Sequence, residues 1–272
     1  MNEREFRKIC DYIYRKAGIS IDDKKFNTLS KKIDALIEKE GFNDFRSFFH
    51  ALRFSRDNQL FQSLINVVTV NETYFFRENY QFEALIKYVF PKLDIIRPKN
   101  EPIRVLCAPS STGEEPYSIA LHLLDEGKMV ERRDFEIMGI DIDSKVLEKA
   151  RAGVFSKRSI QFLPPKLLNE YFTKLDENRY QIADFLRDAI TFEVVNVMDK
   201  FAFKKLGKFD VIFSRNMLIY FDDKSRKEVA MTFYNSLKPK GYVFLGHAES
   251  MNRIVSIYKT VKFDNTIAYL KD

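Results

Sequence analysis

Residues that bind metals or form disulfides are scarce in this sequence. Its 272 residues include two cysteines, three histidines and no tryptophan. Cys10 and Cys107 are too few for a disulfide framework and lack the spacing of a zinc site, so we interpret both as small buried apolar residues. Three histidines also argue against a histidine-rich metal centre. We therefore expect no bound metal.

Long hydrophobic runs are absent as well. We find no stretch of about 18 apolar residues and no charged-then-apolar leader after Met1. The sequence therefore predicts no membrane insertion and no secretory signal, and we expect a cytoplasmic protein. With 45% hydrophobic residues over this length, the chain can bury the cores of one medium domain and one smaller domain.

The net charge of the chain is +6, and much of it lies near the N-terminus. Residues 1–56 hold 13 Lys/Arg and nine Asp/Glu, a net charge of +4. This excess indicates a mild preference for an acidic partner. A solvated helical surface explains the same charges, so both interpretations stay open.

Apolar residues recur at three- and four-residue steps through the first 70 residues. One stripe ends at Gly18 and a second, from Phe26 to Ile37, ends near Gly41, as helices commonly do. Two further helical patterns follow at 45–52 and 60–68, so we predict an all-helical bundle over residues 1–76. Four lysines of the second helix face away from its apolar stripe or flank it. We call them the basic surface: Lys24, Lys25, Lys31 and Lys32.

From about residue 100 the pattern changes to short apolar runs that alternate with helical stretches. Five runs are typical of buried parallel strands, at 103–108, 135–141, 190–196, 209–214 and 241–246. Helical patterns fill 114–125, 144–152 and 222–237. This alternation predicts a doubly wound, mostly parallel α/β sheet with helices on both faces, a Rossmann-like domain over residues 101–272.

Two segments do not follow this alternation. Residues 77–100 contain a helical pattern that ends at Pro91 and then a charged stretch, and we interpret them as a linker. The interval from about 156 to 189 is too long for an unstructured loop in a compact domain, so we predict a small inserted subdomain there.

Residues that follow the strands are informative, because ligands of open α/β sheets lie beyond the carboxyl ends of the strands. After the first strand, Gly113 permits a tight turn, and Glu114 and Glu115 open a helix. Two carboxylates there would repel a pyrophosphate and favour a cationic ligand. Asp141 ends the second strand, where an acid hydrogen-bonds ribose in nucleoside-binding folds. Its alternative role is to start the next helix, but Asp143 or Ser144 already supplies that signal.

A nucleoside that carries a positive charge and no phosphate satisfies these observations. S-adenosylmethionine has a sulfonium group, an ammonium group and an adenosine, so we predict it as the cofactor.

The fourth strand ends in SRNMLIYFD. Arg215 leaves a buried strand, which is costly unless its guanidinium meets a carboxylate or another acceptor. A core helix would explain Met217 to Ile219 but neither Arg215 nor Asn216. Tyr220 offers both a stacking face and a hydroxyl. An amino-methyltransferase of nucleic acids would carry an Asn/Asp-Pro-Pro-aromatic motif here, and this sequence does not.

Five motifs together resemble the CheR-type chemotaxis receptor methyltransferases of bacteria: NETYFFRE, STGEEPYSIA, DIDSKVLEKA, SRNMLIYFD and GHAES. The resemblance covers essentially the whole chain. It implies methyl transfer from S-adenosylmethionine to glutamate side chains of chemoreceptor signalling helices, with γ-glutamyl methyl esters and S-adenosylhomocysteine as products. It also implies that the insertion is a small antiparallel β subdomain, which some members use to bind a peptide at the receptor C-terminus.

The resemblance implies roles for individual residues. In NETYFFRE the aromatic rings would exclude water from the pocket. An interdomain core with a capped helix would explain those rings and Thr73, but not Arg77. The implied cofactor-binding residues are Asn71, Thr73, Arg77, Glu114, Glu115, Asp141, Asn196, Val197, Arg215 and Asn216. Arg77, Arg215 and Tyr220 would be catalytic, orienting the incoming carboxylate, and the basic surface would dock the acidic receptor helix.

Two positions differ from the family pattern. Pro109 stands where a small residue is usual, which questions the backbone hydrogen bonds of the loop, and Val197-Met198 stands where Leu-Leu is usual. We expect a monomer that acts on receptor helices and binds no nucleic acid. A nucleic-acid methyltransferase and a non-catalytic S-adenosylmethionine-binding regulator are the alternatives, and neither accounts for all five motifs.

Overall fold

The computed structural model describes residues 1–55, 57–69, 71–126 and 130–272. Within these residues the helices are α1 (Glu3–Ala17), α2 (Phe26–Lys39), α3 (Phe45–Phe54), α4 (Gln59–Val68), α5 (Asn79–Ala84), α6 (Phe90–Ile96), α7 (Glu114–Glu126), α8 (Ser144–Ala152), α9 (Pro165–Tyr171), α10 (Asp184–Ala189), α11 (Lys200–Lys205) and α12 (Asp223–Ser236). The strands are β1 (Ile103–Cys107), β2 (Phe135–Asp141), β3 (Val154–Ser156), β4 (Phe172–Lys174), β5 (Arg179–Ile182), β6 (Ile190–Val194), β7 (Phe209–Ser214), β8 (Leu237–Leu245), β9 (Lys259–Phe263) and β10 (Thr266–Leu270).

Helices α1 to α4 form the predicted all-helical bundle around their apolar stripes. A capping box at Asn2 begins α1, and Gly18 in the left-handed region (φ 70°) ends it. One detail of the prediction was wrong: Lys24 and Lys25 do not lie on the second helix. They lie on a short 3₁₀ turn before it, because the Asp22 side chain accepts a hydrogen bond from the Lys24 N–H and starts that turn.

The linker helix does not end at Pro91 as predicted. Helical structure continues from Asn79 through Pro91 to Ile96. A π-helical turn, Leu85–Val89, stands directly before the proline, and the Phe90 N–H donates to the Leu85 carbonyl five residues back. Because proline lacks an N–H and crowds the preceding turn, a wider turn allows the helix to continue past it.

The second domain contains a seven-stranded sheet in the order β6-β2-β1-β7-β8-β10-β9. The pairs from β6 to β8 are parallel, whereas β10 is antiparallel to both β8 and β9. The prediction of a doubly wound, mostly parallel sheet is therefore confirmed, although the C-terminal hairpin of β9 and β10 was not predicted.

Each central strand contributes side chains to two cores, one on each face of the sheet. In β1, Val105 and Cys107 belong to the core that contains α7 and α8, and Leu106 belongs to the core that contains α11 and α12. Because successive strand residues point to opposite faces, a strand covered on both sides reads as a continuous apolar run.

The inserted segment forms a separate three-stranded antiparallel sheet in the order β3-β5-β4. This confirms the antiparallel subdomain that the resemblance implied. Among the described residues, no helix is long and apolar enough to cross a membrane, and no cluster of three or more His, Cys, Asp or Glu side chains could hold a metal ion.

Candidate functional site

A cavity lies at the carboxyl ends of four strands and is closed by the helical bundle. The sheet supplies the residues that follow β1, β2, β6 and β7, and the bundle supplies Ala17, Ile19, Val68 and Thr69. The segment that joins the two domains lines the same cavity. Of the predicted site residues, those in its wall are Asn71, Thr73, Arg77, Glu115, Asp141, Asn196, Val197, Arg215, Asn216 and Tyr220.

The loop after β1 keeps its backbone hydrogen bonds despite Pro109. The Ala108 N–H donates to the Phe213 carbonyl at 2.8 Å, and the Ser110 N–H donates to the Ile140 carbonyl at 2.8 Å. Gly113 has a φ of +96°, and a Cβ atom there would lie 3.0 Å from the Ala150 Cβ. Glycine is therefore required for the loop to turn against α8.

Asp141 lies at the tip of β2 with its carboxylate held by two backbone N–H groups. One oxygen accepts from Ser111 at 3.0 Å and the other from Asp143 at 3.0 Å. Burial raises the pKa of Asp141 to about 6, although the two hydrogen bonds oppose that shift. Each oxygen keeps a lone pair for a further donor such as a ribose hydroxyl. Of the two residues predicted to start α8, Asp143 is the one that caps it.

The two glutamates at the start of α7 have different environments. Glu115 lines the cavity, and its Oε1 atom has no hydrogen-bond partner among the described residues. Burial raises the pKa of Glu115, and Arg215 opposes that shift. Glu114 does not line the cavity. Its oxygens accept from the hydroxyls of Thr112 at 2.6 Å and Ser159 at 2.7 Å, so it ties the loop after β1 to the insertion.

Arg215 meets carboxylates, as a buried arginine should. Its Nη1 atom lies 3.1 Å from Glu115 Oε2, and its Nε atom lies 3.7 Å from Glu78 Oε2. Its Nη2 atom donates to the Arg77 carbonyl. Only 6% of Arg215 is exposed. The carboxylates of Glu115 and Glu78 therefore neutralise the charge of a guanidinium that is shielded from water.

NETYFFRE is an irregular turn in which the three aromatic rings point to different places. Tyr74 lines the cavity, but Phe75 and Phe76 do not. Phe75 packs edge-on against Phe155 of the insertion at 4.7 Å, and Phe76 stacks on His122 at 4.5 Å. The prediction that all three rings exclude water from the pocket is therefore wrong for two of them, because Phe75 is buried against the insertion and Phe76 against His122 of α7.

Arg77 has a different environment from Arg215. It lines the cavity, donates to the Glu72 carbonyl at 2.9 Å and lies 5.7 Å from the centroid of the Tyr74 ring. Within the described residues no carboxylate lies within 4.0 Å of its guanidinium. Arg77 is thus a half-buried cation that is available to an anionic group.

Asn196 is held by its side-chain amide and Asn216 by its backbone N–H. The Asn196 amide donates to the Lys16 carbonyl of the bundle at 2.6 Å and accepts from the Met198 N–H at 3.0 Å. Asn216 is in the left-handed region (φ 59°), and its N–H donates to Glu249 Oε2 at 2.9 Å. Glu249 also accepts from the Gly246 N–H at 2.9 Å, so this half-buried carboxylate joins the ends of β7 and β8.

Several residues of the site were not predicted. Ser110 and Ser111 line the cavity, and their position directly after β1 was a signal that could have identified them. Glu78 and Glu249, which hold Arg215 and Asn216, lie far from them in the sequence. Both belong to motifs singled out above, NETYFFRE and GHAES, but nothing in the sequence indicates which side chain each of them contacts.

The polar groups of the cavity fit S-adenosylmethionine. Buried atoms without a hydrogen-bond partner in the described chain include the Ser110 and Ser111 hydroxyls and Glu115 Oε1, which can take the amino-acid end of the cofactor. Asp141 can take the ribose. An open α/β sheet with these anionic and neutral groups at its strand tips defines a Rossmann-like, S-adenosylmethionine-dependent methyltransferase.

Comparison with known proteins agrees with this class. Residues 71–267 match the family model "CheR methyltransferase, SAM binding domain", and residues 4–69 match "CheR methyltransferase, all-alpha domain". The chain belongs to the CheR methyltransferase family. It is 42% identical over 272 residues to chemotaxis protein methyltransferase 2 of Vibrio cholerae serotype O1, an alignment that covers 100% of this chain and 94% of the relative.

Other relatives agree over most of their length. The chain is 35% identical to the chemotaxis protein methyltransferase of Borreliella burgdorferi, over 91% of this chain and 88% of the relative. It is 33% identical to the chemotaxis protein methyltransferase of Escherichia coli (strain K12), over 100% of this chain and 93% of the relative.

Proposed function

We propose that this methyltransferase modifies glutamate side chains of bacterial chemoreceptors, forming γ-glutamyl methyl esters and S-adenosylhomocysteine. The names of the relatives support a role in chemotaxis. The observation that carries the choice of acceptor is the contrast between the two arginines of the cavity. Arg215 is neutralised by Glu115 and Glu78, whereas Arg77 is left for an anion.

The cofactor would be held by groups of both signs around the cavity. Glu115 would meet the ammonium group, and Asp141 the ribose hydroxyls. Asn71 and Thr73 would close the cavity from the bundle side, Asn196 and Val197 would lie beside the adenine, and Asn216 would lie beside the methionine end. When bound, S-adenosylmethionine supplies a sulfonium methyl group that a carboxylate displaces in line.

The acceptor needs no general base, because a glutamate with a pKa of about 4.3 is ionised at neutral pH. Arg77 and Tyr220 would orient it. A guanidinium that bound the carboxylate too tightly would quench the nucleophile, and Arg77 is only half-buried. Arg215 would act indirectly, because it holds Glu115 and the Arg77 backbone in place. Alignment and removal of water can together supply on the order of 7 kcal/mol.

The basic surface would steer the acidic receptor helix to the cavity. Its four lysines are exposed, and within the described residues none has a carboxylate within 4.0 Å of its ammonium group. Their charge is therefore available to a partner, and its effect on association should fall as salt rises.

Mass spectrometry of a chemoreceptor cytoplasmic fragment, incubated with the protein and S-adenosylmethionine, tests this function. We expect a gain of one methyl group on glutamate, released as methanol by mild alkali. Alkali-stable label on RNA or DNA would instead support a nucleic-acid methyltransferase. Cofactor binding without turnover on any receptor would support a regulatory protein.

A further inference from the structure

The segment that connects α1 to the basic surface contacts the turn that presents Tyr220. The Ser20 N–H donates to the Tyr220 carbonyl at 2.8 Å, and Ile19 forms an antiparallel bridge with Phe221. Gly18 permits this approach, because a Cβ atom there would lie 3.0 Å from Met198 Sδ and 3.1 Å from Phe221 Cε1. Part of the bundle therefore forms the outer support of the Tyr220 turn.

The backbone around Tyr220 is also fixed on its other sides. The Tyr14 hydroxyl donates to Asp222 Oδ2 at 2.7 Å, and Asp222 in turn caps α12. Glu249 holds Asn216 at the start of the same turn. These contacts fix the main chain, but they leave the orientation of the Tyr220 ring to side-chain contacts.

Lys25 provides such a contact. Its ammonium group lies 5.6 Å from the centroid of the Tyr220 ring, within the range of a cation–π interaction. Lys24, its neighbour on the same 3₁₀ turn, is equally exposed and has no such contact among the described residues. Within the described residues, Lys25 is the one lysine of the basic surface whose ammonium group makes a cation–π contact with a side chain of the cavity wall.

We propose that Lys25 is a positioning residue for methyl transfer. Its ammonium group holds the Tyr220 ring at the mouth of the cavity, so that the hydroxyl faces the incoming carboxylate. This inference rests on the proposed function, in which Tyr220 meets the acceptor. It separates Lys25 from Lys24, Lys31 and Lys32, whose charges act on docking.

The test compares Lys25→Ala with Lys24→Ala, a matched change one residue away. We expect Lys25→Ala to lower kcat about 2- to 5-fold at saturating receptor fragment, the rate equivalent of an exposed cation–π contact. That loss should persist at high salt, and Lys25→Arg should restore kcat. Lys24→Ala should raise KM at low salt and leave kcat unchanged. Equal effects of the two alanine variants on kcat, or loss of the Lys25 effect at high salt, would overturn the proposal.

A double-mutant cycle tests whether Lys25 affects kcat through the Tyr220 ring. In a Tyr220→Leu background, Lys25→Ala should change kcat no further, and an undiminished effect would refute the role of the ring. A second readout does not depend on activity: in ¹³C-tyrosine-labelled protein, Lys25→Ala should shift the Tyr220 ring resonance and Lys24→Ala should not. If the Tyr220 resonance does not shift in Lys25→Ala, the positioning role is refuted, even if the wild type forms receptor esters. Absence of esters with the wild type refutes the proposed function instead.

Discussion

Glu114 and Glu115 are adjacent in the sequence, but only one of them lines the cavity. Adjacent residues of a helix point about 100° apart, so the two side chains can meet different surroundings. The sequence places both at a strand tip but does not distinguish them. In the structure Glu115 lines the cavity and Glu114 accepts hydroxyl hydrogen bonds outside it. The choice is made by Thr112 and Ser159, and Ser159 is 45 residues away from Glu114.

Neutralising each glutamate separates these two roles. We expect Glu115→Gln to weaken S-adenosylmethionine binding about tenfold or more, because a charge-assisted hydrogen bond of about 1.5–3 kcal/mol is lost. Glu114→Gln should leave the dissociation constant within about twofold. Isothermal titration calorimetry on both variants measures this, and a larger effect of Glu114→Gln would contradict the assignment.

The pKa of Asp141 makes cofactor binding depend on pH. Because burial raises this pKa to about 6, the carboxylate is ionised above pH 6 and takes up a proton as the pH falls through that value. A cationic ligand with ribose hydroxyls prefers the ionised form. We therefore expect the affinity for S-adenosylmethionine to be constant above about pH 7 and to fall by up to about tenfold per unit below pH 6.

The Asp141→Asn variant is the control for this pH dependence. It should bind more weakly at pH 7 and show a flatter profile, with the remaining slope due to Glu115, whose pKa burial also raises. An unchanged profile in Asp141→Asn would show that Asp141 does not meet the ligand.

At the scale of elements, the turn NETYFFRE joins the cavity to the insertion. Phe75 is fully buried and packs against Phe155 of β3 and Phe172 of β4. The Phe75 N–H group also donates to the Ser159 carbonyl at 2.9 Å. The small sheet is therefore packed against the segment that contains Arg77. A substitution that loosens this packing should affect both the insertion and that segment.

Removal of the Phe75 ring tests this packing. Phe75→Ala should destabilise the protein by about 3–5 kcal/mol, the usual cost of deleting a buried aromatic ring. Phe162→Ala is the matched control in the insertion, because Phe162 is 58% exposed, and it should cost about 0.5 kcal/mol. Urea denaturation measures both, and similar losses would contradict the packing.

The strands show where a sequence predicts structure and where it does not. The observed bounds of β2 and β7 are the predicted ones, because each strand is mostly apolar and is buried along its C-terminal half or throughout. β8 begins at Leu237, earlier than predicted, since Pro239 and two lysines interrupt its apolar run. The β9–β10 hairpin was missed because its strands are half-exposed. The residue pair at its two-residue turn, Asp264-Asn265, was the available signal in the sequence.

At the scale of the whole molecule, the site combines features of very different predictability. Strand ends of a parallel sheet meet at one edge, so Asp141, Asn196 and Arg215 could be brought together from the sequence. The closure of the cavity by Ala17, Ile19 and Thr69 could not, because domain packing depends on contacts between distant segments. The same limit applies to Glu78, the second partner of Arg215.

Reversing charges on the basic surface tests docking of the whole molecule to its partner. Lys31→Glu/Lys32→Glu should lower kcat/KM for a receptor fragment about tenfold or more at low salt, because electrostatic steering is reversed. The difference from the wild type should shrink at about 0.5 M salt, where charges are screened within a few ångströms.

Lys204→Glu/Lys205→Glu is the matched control, since these are adjacent exposed lysines on α11 of the other domain. It makes the same change in net charge and should have a much smaller effect. Equal losses for the two variants would show that only the net charge matters and would exclude a localised docking surface.

The shared wall of the cavity also restricts how relatives of this protein can be recombined. Ile19 forms a bridge with Phe221, and the Lys16 carbonyl accepts from Asn196. The residues of the bundle at this interface must therefore be complementary to those of the sheet domain. A chimera that takes its bundle from one relative and its sheet from another would therefore have mismatched contacts at the wall of the cavity. We therefore expect a chimera of two relatives to keep its cavity only when the bundle and the residues that it contacts on the sheet are exchanged together.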